Sequence, residues 1–426
     1  MKREEFRNEL LGEKCTKLVH PTGLTVYCFP KQAFSASYAV FGTNYGSIDT
    51  FIPGKDGSNE EIPNGTAHFL EHKLFECEEL DAFERFAKTG ANANAFTSFD
   101  NTCYLFGCTS NFEESLKILL DFVQSPYFTQ ETVDKEQGII GQEIVMYKDS
   151  ADWEVMFNIL RALYHNHPVN IDIAGTKETI SEITAELLYR CYDCFYNLNN
   201  MVLVATGNVD IDKVEAVCDE ILKPSKPYTF KRQDIDEPDD IVMPYIEERL
   251  SVGTTVFEFG YKEKLTSAKR SLKDKAAMSV LLGILAGNTS PLYNEMLKDG
   301  LIGASFSYEQ FTGHGYAATL FSGESEKPEE VAERIKAEVK RLKDNGIDEN
   351  DFNTVLRKLY GRVVMSYDDH EEIAHDIVNT HFNGERVFED IDVYRSLTIK
   401  DVEDILSRTI FEEYSALFVV RPIDQE

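Results

Sequence analysis

One tryptophan, nine histidines and only 43 basic residues against 74 acidic ones are what this 426-residue chain is short of. The shortage of Lys and Arg leaves a formal charge of −31. It argues against nucleic acid as a partner, because phosphate binding needs clustered cations. Nor does any apolar run reach the roughly twenty residues of a membrane span. The longest, Ala276 to Gly287, reads as a buried helix, so no membrane association is expected. Met1 to Glu13 is charged and lacks the apolar stretch of a secretory signal. Eight cysteines between Cys15 and Cys218, in a chain large enough to need no disulfide staples, suit a reducing compartment, and a cytoplasmic location is expected. Cys191 and Cys194 form the single CxxC pair; beside Leu187, Leu188 and Tyr192, with no second pair, they read as structural.

What is present is material for cores: 42% hydrophobic residues, with 28 Phe and 20 Tyr. The length exceeds what one core serves, so two domains are expected. Pro224, Pro227, Pro238 and Pro244, set among charges, interrupt both helical and strand periodicity. We therefore read residues 1–222 as an N-terminal domain, 223–246 as a linker and 247–426 as a homologous C-terminal domain. The homology rests on a repeat. Asn111 to Phe122, then Phe128-Thr129 and a helix through Glu143, resembles Lys327 to Leu342, then Ile347-Asp348 and a helix through Arg362. Strands are expected at Leu24–Phe29, Tyr38–Tyr45, Cys103–Cys108, Met201–Thr206, Thr254–Tyr261 and Ala416–Val420. Their alternation with long helical patterns gives an α+β class: two layered domains, each a mostly antiparallel sheet covered by helices on one face.

The stretch from Gly65 to Glu76 carries the chemistry. On a helix, His68, Glu71 and His72 share one face, while Phe69, Leu70, Leu74 and Phe75 anchor the rest. Two imidazoles one turn apart can grip one zinc ion, and the Glu between them is then placed to polarise a bound water. A chance HxxEH match has a probability of roughly three in a hundred at this composition. A catalytic zinc needs a third protein ligand, and the helix from Glu131 to Lys148 offers Glu136 and Glu143. They share a face but lie about 10 Å apart along the axis. One is expected at the metal and the other as a carboxylate orienting a ligand histidine.

These residues resemble the insulinase/pitrilysin family of inverted-motif zinc peptidases, which includes mitochondrial processing peptidases and bacterial relatives. The resemblance spans nearly the whole chain. It implies a processing-peptidase-like fold and one zinc ion per chain, held by His68, His72 and Glu143, with Glu71 as general base and Glu136 as supporting carboxylate. The stretch Asn94-Ala95-Phe96-Thr97 looks like the family's edge strand, which implies that a peptide substrate pairs beside Asn94 and Ala95. His167-Pro168, Gly175-Thr176 and Asn199-Asn200-Met201 to Gly207 match as well.

Two departures stand out. The second half has lost the metal site, with Val355 and Arg362 where the first copy has Glu136 and Glu143. The stretch Ser290 to Leu301 resembles the helix that in the family carries an Arg and, further on, a Tyr that stabilise the reacting carbonyl; here Leu297 and, just beyond the stretch, Gly303 occupy those places. The resemblance therefore implies a zinc-bearing subunit with a paralogous partner supplying Arg and Tyr, or a homodimer; the rival expectation is an inactive scaffold or binding subunit. Elsewhere, His165 and His167 read as loop or packing residues. His370 and His375, about 140° apart in helical phase, read as a solvated face among Asp368, Asp369, Glu371 and Glu372. Gly313-His314-Gly315 reads as a turn.

Overall fold

A computed structural model gives the fold; it describes residues 1–54, 58–78, 80–228 and 230–423. Fourteen strands follow one another along the described residues. The first half holds β1 (Lys2–Asn8), β2 (Glu13–Val19), β3 (Thr25–Pro30), β4 (Ser37–Thr43), β5 (Phe51–Pro53), β6 (Asn59–Glu61), β7 (Asn92–Thr97), β8 (Thr102–Cys108) and β9 (Met201–Gly207). The second half holds β10 (Tyr245–Leu250), β11 (Val256–Lys262), β12 (Ser307–Gly313), β13 (Tyr316–Glu324) and β14 (Ser415–Pro422). They form a seven-stranded sheet ordered β1-β2-β3-β9-β4-β8-β7, a five-stranded sheet ordered β10-β14-β11-β13-β12, and the small hairpin β5-β6. Only the β3–β9 and β10–β14 pairs are parallel, so both large sheets are mostly antiparallel. All six strands expected from sequence are present with ends shifted by a residue or two.

One inner strand of each large sheet matches the other in kind. β4 lies between β9 and β8, as β11 lies between β14 and β13. Gly42 of β4 and Gly260 of β11 each leave room for a helix: a Cβ at Gly42 would meet Val378 and Phe382, and one at Gly260 would meet Ile159 and Leu163. Those residues belong to helices His370–Asn383 and Ala151–Leu163. The opposite faces are also covered, by helix Phe112–Val123 on the first sheet and by the buried helix Leu272–Ala286 with its neighbours on the second. Each sheet thus carries helices on both faces, where the sequence suggested one. The reason is that both faces of β4 and β11 are apolar enough to require cover, their residues being almost all buried.

The chain forms two discontinuous units. The first is Met1–Ile144, Asp172–Gln233 and Val364–Glu389; the second is Val145–Ile171, Asp234–Val363 and Asp390–Glu426. The expected linker 223–246, of which Thr229 lies outside the described residues, contains the passage at Gln233–Asp234. The continuous division at that point nonetheless differs from the packing, because one helix from each half of the chain covers the sheet built by the other half. Ile373, Ala374, Ile377 and Val378 join Val40, Val202 and Val204 in one core. Helix Ala151–Leu163 lies on β11 and β14.

That arrangement also corrects the reading of His370 and His375 as a solvated face. Both rings pack against Tyr38, with centroids 6.0 and 5.8 Å away, and Tyr38 Oη lies 3.1 Å from His375 Nε2. His370 is the first residue of its helix. Side chains that face apart around an axis can still flank one ring inserted at the helix start.

Candidate metal centre

Helix Thr66–Leu74, the motif helix, begins where the backbone turns left-handed at Gly65 (φ 91°). A Cβ there would stand 2.5 Å from the Ala174 carbonyl oxygen, so the entry needs glycine twice over. Phe69, Leu70 and Leu74 are fully buried and fix the helix's rotation. His68 and Glu71 are buried with them, while His72 keeps about a quarter of its side chain exposed. Lys73 is buried too and its ammonium pairs with Glu76.

Helix Gln130–Lys148, the acidic helix, brings two carboxylates to this face. Glu143 Oε1 stands 3.8 Å from His68 Nε2 and its Oε2 stands 3.6 Å from His72 Nε2. On the other side of the His72 ring, Nδ1 lies 3.2 Å from Glu136 Oε1. The structure thus brings His68, His72, Glu136 and Glu143 together, with about two turns of helix between the two carboxylates. Among the described residues, His68, His72 and Glu143 form the group of metal-ligating side chains whose donor atoms all lie within 4.8 Å of one another.

The spacings fit a divalent ion better than they fit hydrogen bonds. Three ligands held at 2.0–2.2 Å around a tetrahedral zinc stand about 3.4 Å from one another. The separations of 3.6 and 3.8 Å are too long for direct N–H···O bonds and close to that figure. His68 Nδ1 is buried without a hydrogen-bond partner. Burial, with His72 adding to it, holds the His68 imidazole down to about 4, so the ring stays neutral and able to ligate. Burial also pulls on His72, yet the hydrogen bond to Glu136 and the charges of Glu71 and Glu143 leave its pKa raised.

Glu71 faces the same space from the motif helix. Burial raises its carboxyl above the usual carboxylate range, against the hydrogen bond that its Oε2 accepts from Thr97 Oγ1 at 2.7 Å. Thr97 closes β7, the outermost strand of the seven-stranded sheet. Asn94 and Ala95 sit on that strand opposite Leu105 and Tyr104 of β8, and its other edge pairs with no described strand. There the Ala95 N–H donates to Asn94 Oδ1 at 2.9 Å. The grip of Thr97 on Glu71 was not foreseen from sequence; the signal was its place at the end of the Asn94–Thr97 stretch.

The remaining sequence candidates lie elsewhere. Leu297 is exposed on helix Pro291–Lys298 and Gly303 follows in a loop, so neither offers a hydrogen-bond donor side chain. His167 caps a short turn, with Nδ1 accepting from Val169 N and Nε2 lying 3.0 Å from the His314 carbonyl. The thiols of Cys191 and Cys194 are free on helix Ala185–Phe195.

Comparison with known proteins adds a family to this geometry. A family model described as Insulinase (Peptidase family M16) matches residues 55–177, and one described as Peptidase M16 inactive domain matches residues 182–359. A Bacillus subtilis protein called uncharacterized zinc protease YmfH is 38% identical over 416 residues, 96% of this chain and 95% of its own length. The crystal structure of an M16-like peptidase from Alicyclobacillus acidocaldarius superposes with a TM-score of 0.92 at 34% identity, covering 99% of both chains. The mitochondrial-processing peptidase subunit beta of Caenorhabditis elegans is 31% identical over 183 residues, 41% of this chain and 39% of that one.

Proposed function

The chain belongs to the insulinase family, peptidase family M16, and from that premise we propose that it is a zinc-dependent endopeptidase, or the zinc-bearing subunit of one, that hydrolyses unstructured peptides. The observation that carries this reading is the spacing of three donor atoms, from His68, His72 and Glu143, with the carboxylate of Glu71 beside them. One zinc ion per chain would be held by those three residues, and when bound it would acidify a water and polarise a carbonyl.

The chain's own residues supply the rest. The open edge of β7 receives an extended substrate by strand pairing, and the incoming carbonyl takes over the Ala95 N–H that Asn94 now occupies. Glu71 accepts a proton from the attacking water and delivers it to the leaving amine. Burial raises its pKa, the direction that suits a base which must also hand its proton on. Glu136 holds the Nδ1 proton of His72 and so fixes which nitrogen faces the metal.

Leu297 and Gly303 give no donor for the oxyanion, and losing one such donor typically costs a hundredfold or more in rate. We therefore assign the chain a partner, a paralogue that carries Arg and Tyr or a second copy; the Caenorhabditis elegans relative is by name a subunit. The same absence favours the second reading, a scaffold that keeps the fold without turnover. Zinc content together with cleavage of an unstructured peptide, by the chain alone and with its paralogue, separates them. Bound zinc and cleavage in either setting support the peptidase; a chain that takes up no zinc and cleaves nothing in both settings is a scaffold.

A further inference from the structure

Glu258 of β11 is buried like Lys262 at the end of the same strand, but where Lys262 pairs with Glu237, Glu258 has no such partner. Its neighbours Phe257, Phe259 and Tyr261 fill the core beneath the second sheet. Glu258 points to the other face, the one on which helix Ala151–Leu163 lies, and is 5% exposed. Among the described residues it accepts no hydrogen bond and meets no cation. The corresponding position of the first sheet, two residues before Gly42 as Glu258 is two before Gly260, is Val40, an ordinary core residue. Packing alone therefore asks for a methyl-bearing side chain here, and a lone buried carboxyl is strongly disfavoured unless it keeps its proton or finds a cation.

The polar groups named around it are carboxyls and hydroxyls. Cross-strand partners share a face, so Ser322 of β13 and, beyond it, Ser307 of β12 stand beside Glu258, their hydroxyls 3.0 Å apart. Glu309, two residues along β12, is exposed on the same face at the margin of the sheet. On the other flank β14 contributes the apolar Phe418. From above, the helix contributes Asp152 in its exposed first turn. Neither Glu309 nor Asp152 has a hydrogen bond or ion pair among the described residues. Burial, reinforced by the charges of Glu309 and Asp152, pushes the Glu258 carboxyl up to about 8.

We propose that Glu258, Glu309 and Asp152 form a recess that binds the guanidinium of an arginine side chain in a peptide. Two exposed carboxylates at the rim and a buried carboxyl at the floor match a cation on a long apolar stem, which can pass the rim and reach the floor. A metal ion fits less well, since the group whose donor atoms lie within 4.8 Å is the one at His68, His72 and Glu143. A guanidinium spreads five N–H donors over a plane and can serve acceptors that are further apart. On docking, Glu258 releases its proton to solvent and the resulting carboxylate pairs with the guanidinium. Binding therefore strengthens as the pH rises through the range where the empty recess still holds that proton. The peptide half of this proposal rests on the function proposed above; the cation half does not.

The test compares two short unstructured peptides that differ in one residue, arginine against its neutral isostere citrulline. Affinity for the full chain is measured after chelation, so that nothing is cleaved. The arginine peptide is expected to bind about tenfold more tightly at about pH 9, with a smaller gap at about pH 6. Glu258→Gln and Glu309→Gln should each narrow the gap and the double variant close it. Glu258→Gln retains the shape of a side chain that is already uncharged, and its circular dichroism is expected to match the parent. Equal affinities at both pH values, or a gap that survives the double variant, overturn the proposal. Equal affinities with cleavage of both peptides by the zinc-loaded chain remove the recess and leave the peptidase. An affinity gap without cleavage in any setting does the reverse.

Discussion

Thr97 holds Glu71: the hydroxyl at the end of edge strand β7 donates a 2.7 Å hydrogen bond to Oε2 of the carboxylate on the motif helix. The strand proposed to bind substrate and the base proposed to act on it are therefore tied together before any substrate arrives.

Removing that tie should be visible in a pH–rate profile. In Thr97→Val the bond that lowers the Glu71 pKa is gone while the burial that raises it stays. The acid limb of kcat/KM should move to higher pH, with kcat down about tenfold near neutrality. A profile superimposable on the parent's would sink the assignment of Glu71 as base.

Glu71→Gln keeps the size of the side chain and removes its proton chemistry. Turnover should fall about a thousandfold or more, while atomic absorption still finds one zinc per chain. Loss of the metal together with activity would instead make Glu71 a ligand.

Glu136→Gln acts one step further out. Its carboxylate meets His72 Nδ1 on the side away from Glu143. Zinc affinity, measured by competition with a chelator, should drop about 10- to 100-fold, whereas Glu143→Gln should abolish stoichiometric binding.

Much of this site could be read from the chain, and the physical reason is locality. His68, Glu71 and His72 lie within a turn and a half of helix, so their common face follows from helix geometry once Phe69, Leu70 and Leu74 mark the buried side. Strands β3, β4, β8, β9, β11 and β14 were visible because they are apolar runs bounded by turns. β1, reading Lys-Arg-Glu-Glu-Phe-Arg-Asn, was not, because an exposed edge strand has little to distinguish it from a charged loop. The destinations of helices Ala151–Leu163 and His370–Asn383 were hidden for a different reason. Amphipathy says that a helix has an apolar face; it does not name the sheet that will cover it.

Glu258 offers a stability measurement with a definite sign. In the unfolded chain its carboxyl ionises near the ordinary value of 4.5, whereas in the folded chain it holds its proton up to about 8. Between these values the folded state binds more protons, so this residue makes stability fall as the pH rises and contributes no further change above the upper value. Glu258→Gln should melt a few degrees higher than the parent at about pH 9 and at the same temperature at about pH 4. An identical Tm difference at both pH values would show that folding does not raise the pKa of this carboxyl.

The exchange of covering helices sets a timetable for biosynthesis. When a ribosome has made every strand of the seven-stranded sheet, the residues that will cover Val40, Val202 and Val204 still lie more than a hundred and fifty codons away. During that interval one apolar face of the sheet has no lid of its own, and a nascent chain truncated before Ile373 should associate with a holdase and aggregate once released. A stop codon placed in the 223–246 segment would accordingly yield an adhesive fragment in place of a self-standing domain.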